Sequence, residues 1–314
     1  MNTDDAIILL TAGTLATACG LLGPFLVLRR QSLTSDAIGH AVLPGVVAMY
    51  LLTGSRSSLL ATLGAAAFGL LCVLAIDALR RTRLLGTDAA IALTFPALFS
   101  LGVLGVSGFA SGAHLDLDST IYGEITFAPF RTMSLGAVEF PRPLLMTLLA
   151  VLLALGFVLL SWRGLQTLAF DPEFADIAGL RGRLIQRLLL MVSAIVAVIV
   201  FDSVGAILVV TFFVVPAAAA QLVANRLDTM LLVSVAIGWV SSFVGQRAAV
   251  AYDSSIAGMI GLTTVGCFLL LRLLAPRRGL LWRWLRLARR RDNTGAPART
   301  GADSAQPKNT SASA

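Results

Sequence analysis

The sequence predicts an all-α, polytopic integral membrane protein with about nine transmembrane helices. Three observations predict it. Of the 314 residues, 57% are hydrophobic and only 13% charged, where a soluble domain carries about 25% charged residues. Apolar runs of about 18 residues or more recur along the chain, each long enough to cross a bilayer core as a helix. The arginines behind the net charge of +7 sit in short clusters at the ends of those runs, as topology determinants do. That placement argues against nucleic-acid binding, the usual reading of a basic chain.

The first span, 6–28, follows an acidic start, Met1 to Asp5. It lacks the basic n-region of a cleavable signal and is expected to stay in the membrane. Spans at 33–52, 58–79, 88–107 and 143–161 follow. The stretch from Leu184 to Ala224 is too long for one crossing. Its only polar, glycine-containing break is Asp202-Ser203-Val204-Gly205, which divides it into spans 184–201 and 204–224. Pro216 removes one helical hydrogen bond and is expected to kink the second. Spans 229–250 and 255–274 complete the set.

Two connections are longer than a hairpin needs. Residues 108–142 contain His114, Asp116, Asp118, Tyr122 and Glu124, readable as an acidic entry mouth or as a solvated loop. Residues 162–183 contain Phe170-Asp171-Pro172-Glu173-Phe174-Ala175. Asp171 suits an N-cap, Pro172 a first helical position and Glu173 the positive helix end, which predicts a short helix starting there. Asp202 and Asp253 read as turn or cap residues. Cys19, Cys72 and Cys267 fall inside apolar runs without metal-binding spacing or a disulfide framework, and read as small core residues.

The organisation is one transmembrane domain, 1–279, with no soluble domain. A basic membrane-surface segment, 280–291, carries Trp282 and Trp284. A tail, 292–314, is rich in Ser, Ala, Thr, Gly and Pro and is expected to be disordered. With the N-terminus outside, the inner connections hold Arg29, Arg30, Arg80, Arg81, Arg83, Arg163, Arg181, Arg183, Arg187 and Arg226. The outer ones hold only Arg56, Arg131, Arg142 and Arg247. The positive-inside bias therefore predicts an outer N-terminus and a cytoplasmic C-terminus.

The stretch from Arg29 to Gly45 is the most informative. Asp36 and His40 stand four residues apart and share one helical face. A helix starting near Ser32 at the inner boundary carries the imidazole about 12 Å inward, close to the middle of a hydrocarbon layer about 30 Å thick. Ionisable groups at that depth are costly and usually line ion or substrate pathways. The competing reading is a hydrogen-bonded pair that pins neighbouring helices. Carboxylate and neutral imidazole make borderline ligands suited to divalent manganese, iron or zinc. Two donors cannot close a site, but a two-fold partner could supply two more, and weak sites allow release.

Absences also decide. The single lysine, Lys308, lies in the tail, so no phosphate-binding GxxxxGK[ST] loop is present. Neither HExxH nor GxSxG occurs in the chain. Any ATPase that drives this protein must be another polypeptide.

Three stretches resemble the permease subunits of manganese, zinc and iron ABC importers. They are Leu28–Leu33 with Asp36–Gly45, Phe170–Ala175 with Gly179-Leu180, and Gly205–Val210 with Val215–Ala220. Tyr122-Gly123-Glu124-Ile125 matches the family's outer segment more loosely. The likeness runs from about residue 6 to 274.

The resemblance implies the architecture of the vitamin B12 and siderophore importer permeases, in the cell inner (cytoplasmic) membrane. Two such subunits, identical or paralogous, would form a central pathway. The resemblance places metal ligands at Asp36 and His40, and ATPase coupling at Phe170, Asp171, Pro172 and Glu173. The implied partners are an ABC ATPase chain and an extracellular or periplasmic metal-binding protein, with membrane lipid around them and no nucleic acid. No permanently bound cofactor is implied; the metal is cargo, manganese ahead of zinc and iron. The chain is thus expected to be a transport subunit and not an enzyme. A proton-coupled secondary metal transporter is the alternative, with Asp36 and His40 relaying the proton. A membrane enzyme holding a catalytic metal on the same pair is the third reading, and it lacks a base and a substrate cleft.

Overall fold

The computed structural model describes residues 3–54, 58–82, 84–109, 125–135, 138–170 and 182–275. The helices are α1 (Thr3–Leu28), α2 (Leu33–Thr53), α3 (Ser58–Arg81), α4 (Thr87–Phe109), α5 (Arg142–Leu160), α6 (Trp162–Phe170), α7 (Gly182–Val204), α8 (Ala206–Val223), α9 (Leu227–Tyr252) and α10 (Ile256–Leu274). Among the described residues, nine of these are long and apolar enough to cross a membrane, all but α6. Their boundaries fall within a few residues of those expected from sequence. The division of the Leu184–Ala224 stretch is sharp: α7 ends at Val204, Gly205 turns the chain with φ 88°, and α8 begins at Ala206. Glycine takes that backbone conformation without the Cβ penalty of other residues. Pro216 lies buried within α8 without ending it. Asp253 is the left-handed C-cap of α9.

Two described elements were not expected. A two-stranded antiparallel hairpin, β1 (Thr132–Leu135) and β2 (Val138–Pro141), leads directly into α5, with Thr132 opposite Pro141. A helical turn at Ile125–Phe127 precedes it, and its Ile125 is buried. The second is α6, which follows α5 after one turn residue, Ser161. It buries Gly164, Leu165 and Leu168 along one stripe. Arg163 and Gln166 lower the apolar content of this stretch, so it lacks the long apolar run by which spans are recognised. The helix expected to start at Asp171 lies outside the described residues, as do His114, Asp116, Asp118, Tyr122, Glu124 and the segments 280–291 and 292–314.

The packing has a centre. Helix α1 buries Leu15, Leu22 and Phe25 and packs against α5, α8 and α9. Polar side chains tie it across: Trp239 Nε1 donates to the Thr17 hydroxyl at 3.0 Å, and the Thr14 and Thr147 hydroxyls bond at 2.7 Å. Such interhelical bonds suit an apolar solvent. Helix α2 packs chiefly on α3 and α4, and only slightly on α8. At its crossing with α3, Gly45 and Gly64 bring the two backbones so close that a Cβ on either would overlap the other's carbonyl. Outward faces carry Leu93, Leu104, Leu160, Leu232 and Leu262, all exposed. A stacked-helix bundle with apolar residues outside as well as inside is built for lipid.

Candidate functional site

Helix α2 starts abruptly. After α1, Arg30 takes a left-handed φ of 53°, the Gln31 N–H donates to the Leu26 carbonyl at 2.8 Å, and α2 begins at Leu33. Asp36 therefore stands in the first turn and His40 one turn further on the same face. His40 Nε2 and Asp36 Oδ1 are 3.8 Å apart, ion-pair range but too long for a hydrogen bond. Their side chains are 47% and 48% exposed. This is not the sealed, hydrogen-bonded pin of the competing reading.

The pair opens into a cavity of about 350 Å³ between α2, α4 and α8, lined by Asp36, His40, Phe99, Ala206, Ile207 and Thr211. Helix α4 supplies two rings. The imidazole stacks on Phe95 with centroids 5.2 Å apart and planes at 29°, and meets Phe99 edge-on at 5.7 Å and 84°. These contacts set the plane of the imidazole. Thr211, across the cavity, already donates its hydroxyl to the Ile207 carbonyl at 2.8 Å.

Depth follows from the neighbours. A Cβ on Gly39 would come within 3.2 Å of the Phe201 ring, so this turn of α2 lies level with Phe201. Phe201 stands about 21 Å along α7 from Arg187, and the end of α2 lies about 20 Å beyond His40. Arg187 marks a charged belt at one end of the bundle. Its Nε donates to Asp77 Oδ2 at 2.9 Å, and Arg81 donates to the same oxygen at 3.1 Å. The carboxylate thus sits in the first turn of α2 and the imidazole one turn further along, level with the last turn of α7 and well away from the charged belt.

Among the described residues no group of three or more His, Cys, Asp or Glu side chains gathers to hold a metal. One chain offers two donors here. Cys19 and Cys72 are buried and Cys267 partly so, all as free thiols; Cys72 lies within 3.8 Å of the Ala37 carbonyl, away from the cavity.

The other expected site lies at the charged end. Phe170, the last residue of α6, is 67% exposed; Asp171, Pro172 and Glu173 lie outside the described residues. Arg29, at the end of α1, reaches this region, with Nη1 donating to the Leu168 carbonyl at 3.3 Å and Nη2 to Gln186 Oε1 at 2.7 Å. Burial, and secondarily the charge of Arg80, hold its guanidinium below the ordinary arginine range. Phe95, Phe99 and the Arg29 contacts escaped sequence reasoning, because each depends on which helices become neighbours.

A family model described as the ABC 3 transport family matches residues 6–275. The chain belongs to the ABC 3 transport family. Among its ABC 3 relatives, the "Manganese transport system membrane protein MntD" of Bacillus subtilis (strain 168) is 36% identical over 284 residues, 90% of this chain and 96% of that protein. The "Zinc transport system membrane protein TroD" of Treponema pallidum (strain Nichols) is 39% identical, over 88% of this chain and 76% of that protein. The solved structure of PsaBC from Streptococcus pneumoniae in complex with Fab matches with a TM-score of 0.70 at 27% identity, covering 92% of this chain and 96% of that one. An inward-facing metal-chelate type ABC transporter, 17% identical with a TM-score of 0.63 over 84% of each chain, shares the fold. This ABC 3 chain is a multi-pass membrane permease subunit and not an enzyme; the proton-coupled alternative is not favoured.

Proposed function

We propose that this permease moves a divalent transition metal into the cell, manganese ahead of zinc or iron, with Asp36 and His40 as the pathway donors. The observation that carries the reading is the open carboxylate–imidazole pair facing a cavity between α2, α4 and α8. Relatives whose names specify manganese and zinc support the class of cargo. A carboxylate and a neutral imidazole suit such ions, since oxygen and nitrogen ligands of intermediate softness accept manganese, iron and zinc alike. The Phe95 and Phe99 rings orient the imidazole as outer-sphere partners orient a metal-binding histidine.

Two donors per chain leave the coordination shell open. A second permease subunit, identical or paralogous, would bring its own pair and complete a four-donor site at the interface. Binding of that kind, strong enough to strip water and weak enough to release, is what conduction demands. A separate ABC ATPase supplies the energy, docking at Phe170, Asp171, Pro172 and Glu173. A periplasmic or extracellular binding protein delivers the ion to the outer face. The arginine asymmetry orients the chain in the cell inner membrane with the N-terminus outside and the C-terminus cytoplasmic.

The test is manganese uptake by cells expressing Asp36→Ala or His40→Ala, with membrane insertion checked by immunoblot. Loss of uptake in both supports the pathway; unchanged uptake in both rejects it. Co-purification of the ATPase with a chain carrying Asp171→Ala and Glu173→Ala tests the docking segment, and normal recovery would count against it.

A further inference from the structure

We propose that Arg29 is the positioning residue that joins movement at the ATPase face to the metal-bearing helix. The inference rests on the reading of Phe170–Glu173 as the ATPase contact, and it assigns a role to the arginine that ends α1.

One guanidinium reaches two elements. Nη1 donates to the carbonyl of Leu168 in the last turn of α6, and Nη2 to the side-chain oxygen of Gln186 near the start of α7. These are the flanks of segment 171–181, the one leading in and the other leading out. A cation beside the closing carbonyls of a helix is favoured by the helix dipole. The planar fork of arginine lets one side chain hold both acceptors at once, which the point charge of lysine does not do.

The other side of Arg29 is tied to the site. Its N–H donates to the Phe25 carbonyl at 3.1 Å, that of Arg30 to Val27 at 3.0 Å, and that of Gln31 to Leu26 at 2.8 Å. Arg30 holds the left-handed conformation without being glycine, which a side chain adopts only when its surroundings over-determine it. Gln31 is buried to 1% exposure. The turn is therefore short and stiff, and α2 leaves it two residues later with Asp36 in its first turn. A displacement of the α6 and α7 ends is passed through the guanidinium into this turn and on to α2. Helix α2 packs chiefly on α3 and α4 and only slightly on α8 across the cavity, so a shift of α2 together with those neighbours changes the gap to the α8 wall.

A residue that merely supports the fold would lower assembly, ATP hydrolysis and uptake together. A relay lowers uptake relative to hydrolysis. The test uses the full permease reconstituted with its ATPase in proteoliposomes, with manganese(II) as the probe, measuring manganese moved per ATP hydrolysed. Arg29→Lys keeps the charge and loses the fork. It is expected to co-purify with the ATPase and hydrolyse ATP near the wild-type rate. Manganese moved per ATP should fall about tenfold, the effect of losing one charge-assisted hydrogen bond. Gln186→Leu, which removes one arm, is expected to lower the ratio by a similar factor. An unchanged ratio in Arg29→Lys overturns the proposal, and so does a parallel fall of assembly, hydrolysis and uptake. If Asp171→Ala with Glu173→Ala leaves ATPase recovery normal, the docking reading fails and the relay falls with it. If that double variant loses the ATPase while Arg29→Lys keeps the wild-type ratio, the relay alone is overturned.

Discussion

The imidazole of His40 lies face to face with the ring of Phe95, the centroids 5.2 Å apart and the planes inclined by 29°. The contact joins α2 to α4 beside the cavity and fixes the direction in which Nε2 points toward Asp36. Stacking of this kind is worth about 0.5–1.5 kcal/mol beyond its buried area. Phe95→Leu keeps most of the volume and removes the ring. Half-maximal uptake should then need about two- to tenfold more manganese, with the maximal rate little changed, while Phe95→Tyr stays near wild type. Concentration-dependent uptake in proteoliposomes separates the two parameters.

Ala206 begins α8 on the wall facing Asp36 and His40. Ala206→Phe places a ring in the cavity and is expected to abolish uptake without loss of membrane insertion. Thr211→Val removes a hydroxyl whose hydrogen goes to its own helix and is expected to leave uptake unchanged. Paired transport assays distinguish a blocked path from a missing ligand.

Gly45 meets the Gly64 carbonyl where α2 crosses α3. Gly45→Val forces the helices apart, and overpacking of this kind costs about 1–3 kcal/mol. A lowered unfolding temperature in detergent checks it, with Gly54→Ala as the contrast. Gly54 has open space around it but a φ of 63°, so its cost is conformational, about 1–2 kcal/mol.

Asp77 accepts from both Arg81 and Arg187, and Arg187 is the link between α3 and α7. Asp77→Asn keeps the shape and removes the charge. The partners are partly solvated, so the loss should be only about 1 kcal/mol, read as a small, salt-sensitive drop in unfolding temperature.

Local composition decided the spans. Each apolar run reports its own burial in lipid, so α1 to α5 and α7 to α10 were legible residue by residue, as was the Gly205 break. The four-residue spacing that puts Asp36 and His40 on one face was legible for the same reason, because a helix repeats every 3.6 residues. The helix α6 was not, since its Leu165–Leu168 stripe is too short to register beside Arg163 and Gln166.

What the tertiary structure alone decided is which helices touch. That Phe95 faces His40, that Gly39 lies level with Phe201 and that Arg29 reaches both Leu168 and Gln186 are contacts between residues far apart in the chain. No periodicity encodes them. A helix announces its apolar character along its own length, but its neighbour is chosen by the shape of the surfaces that meet, and Gly45 against Gly64 shows how few atoms make that choice.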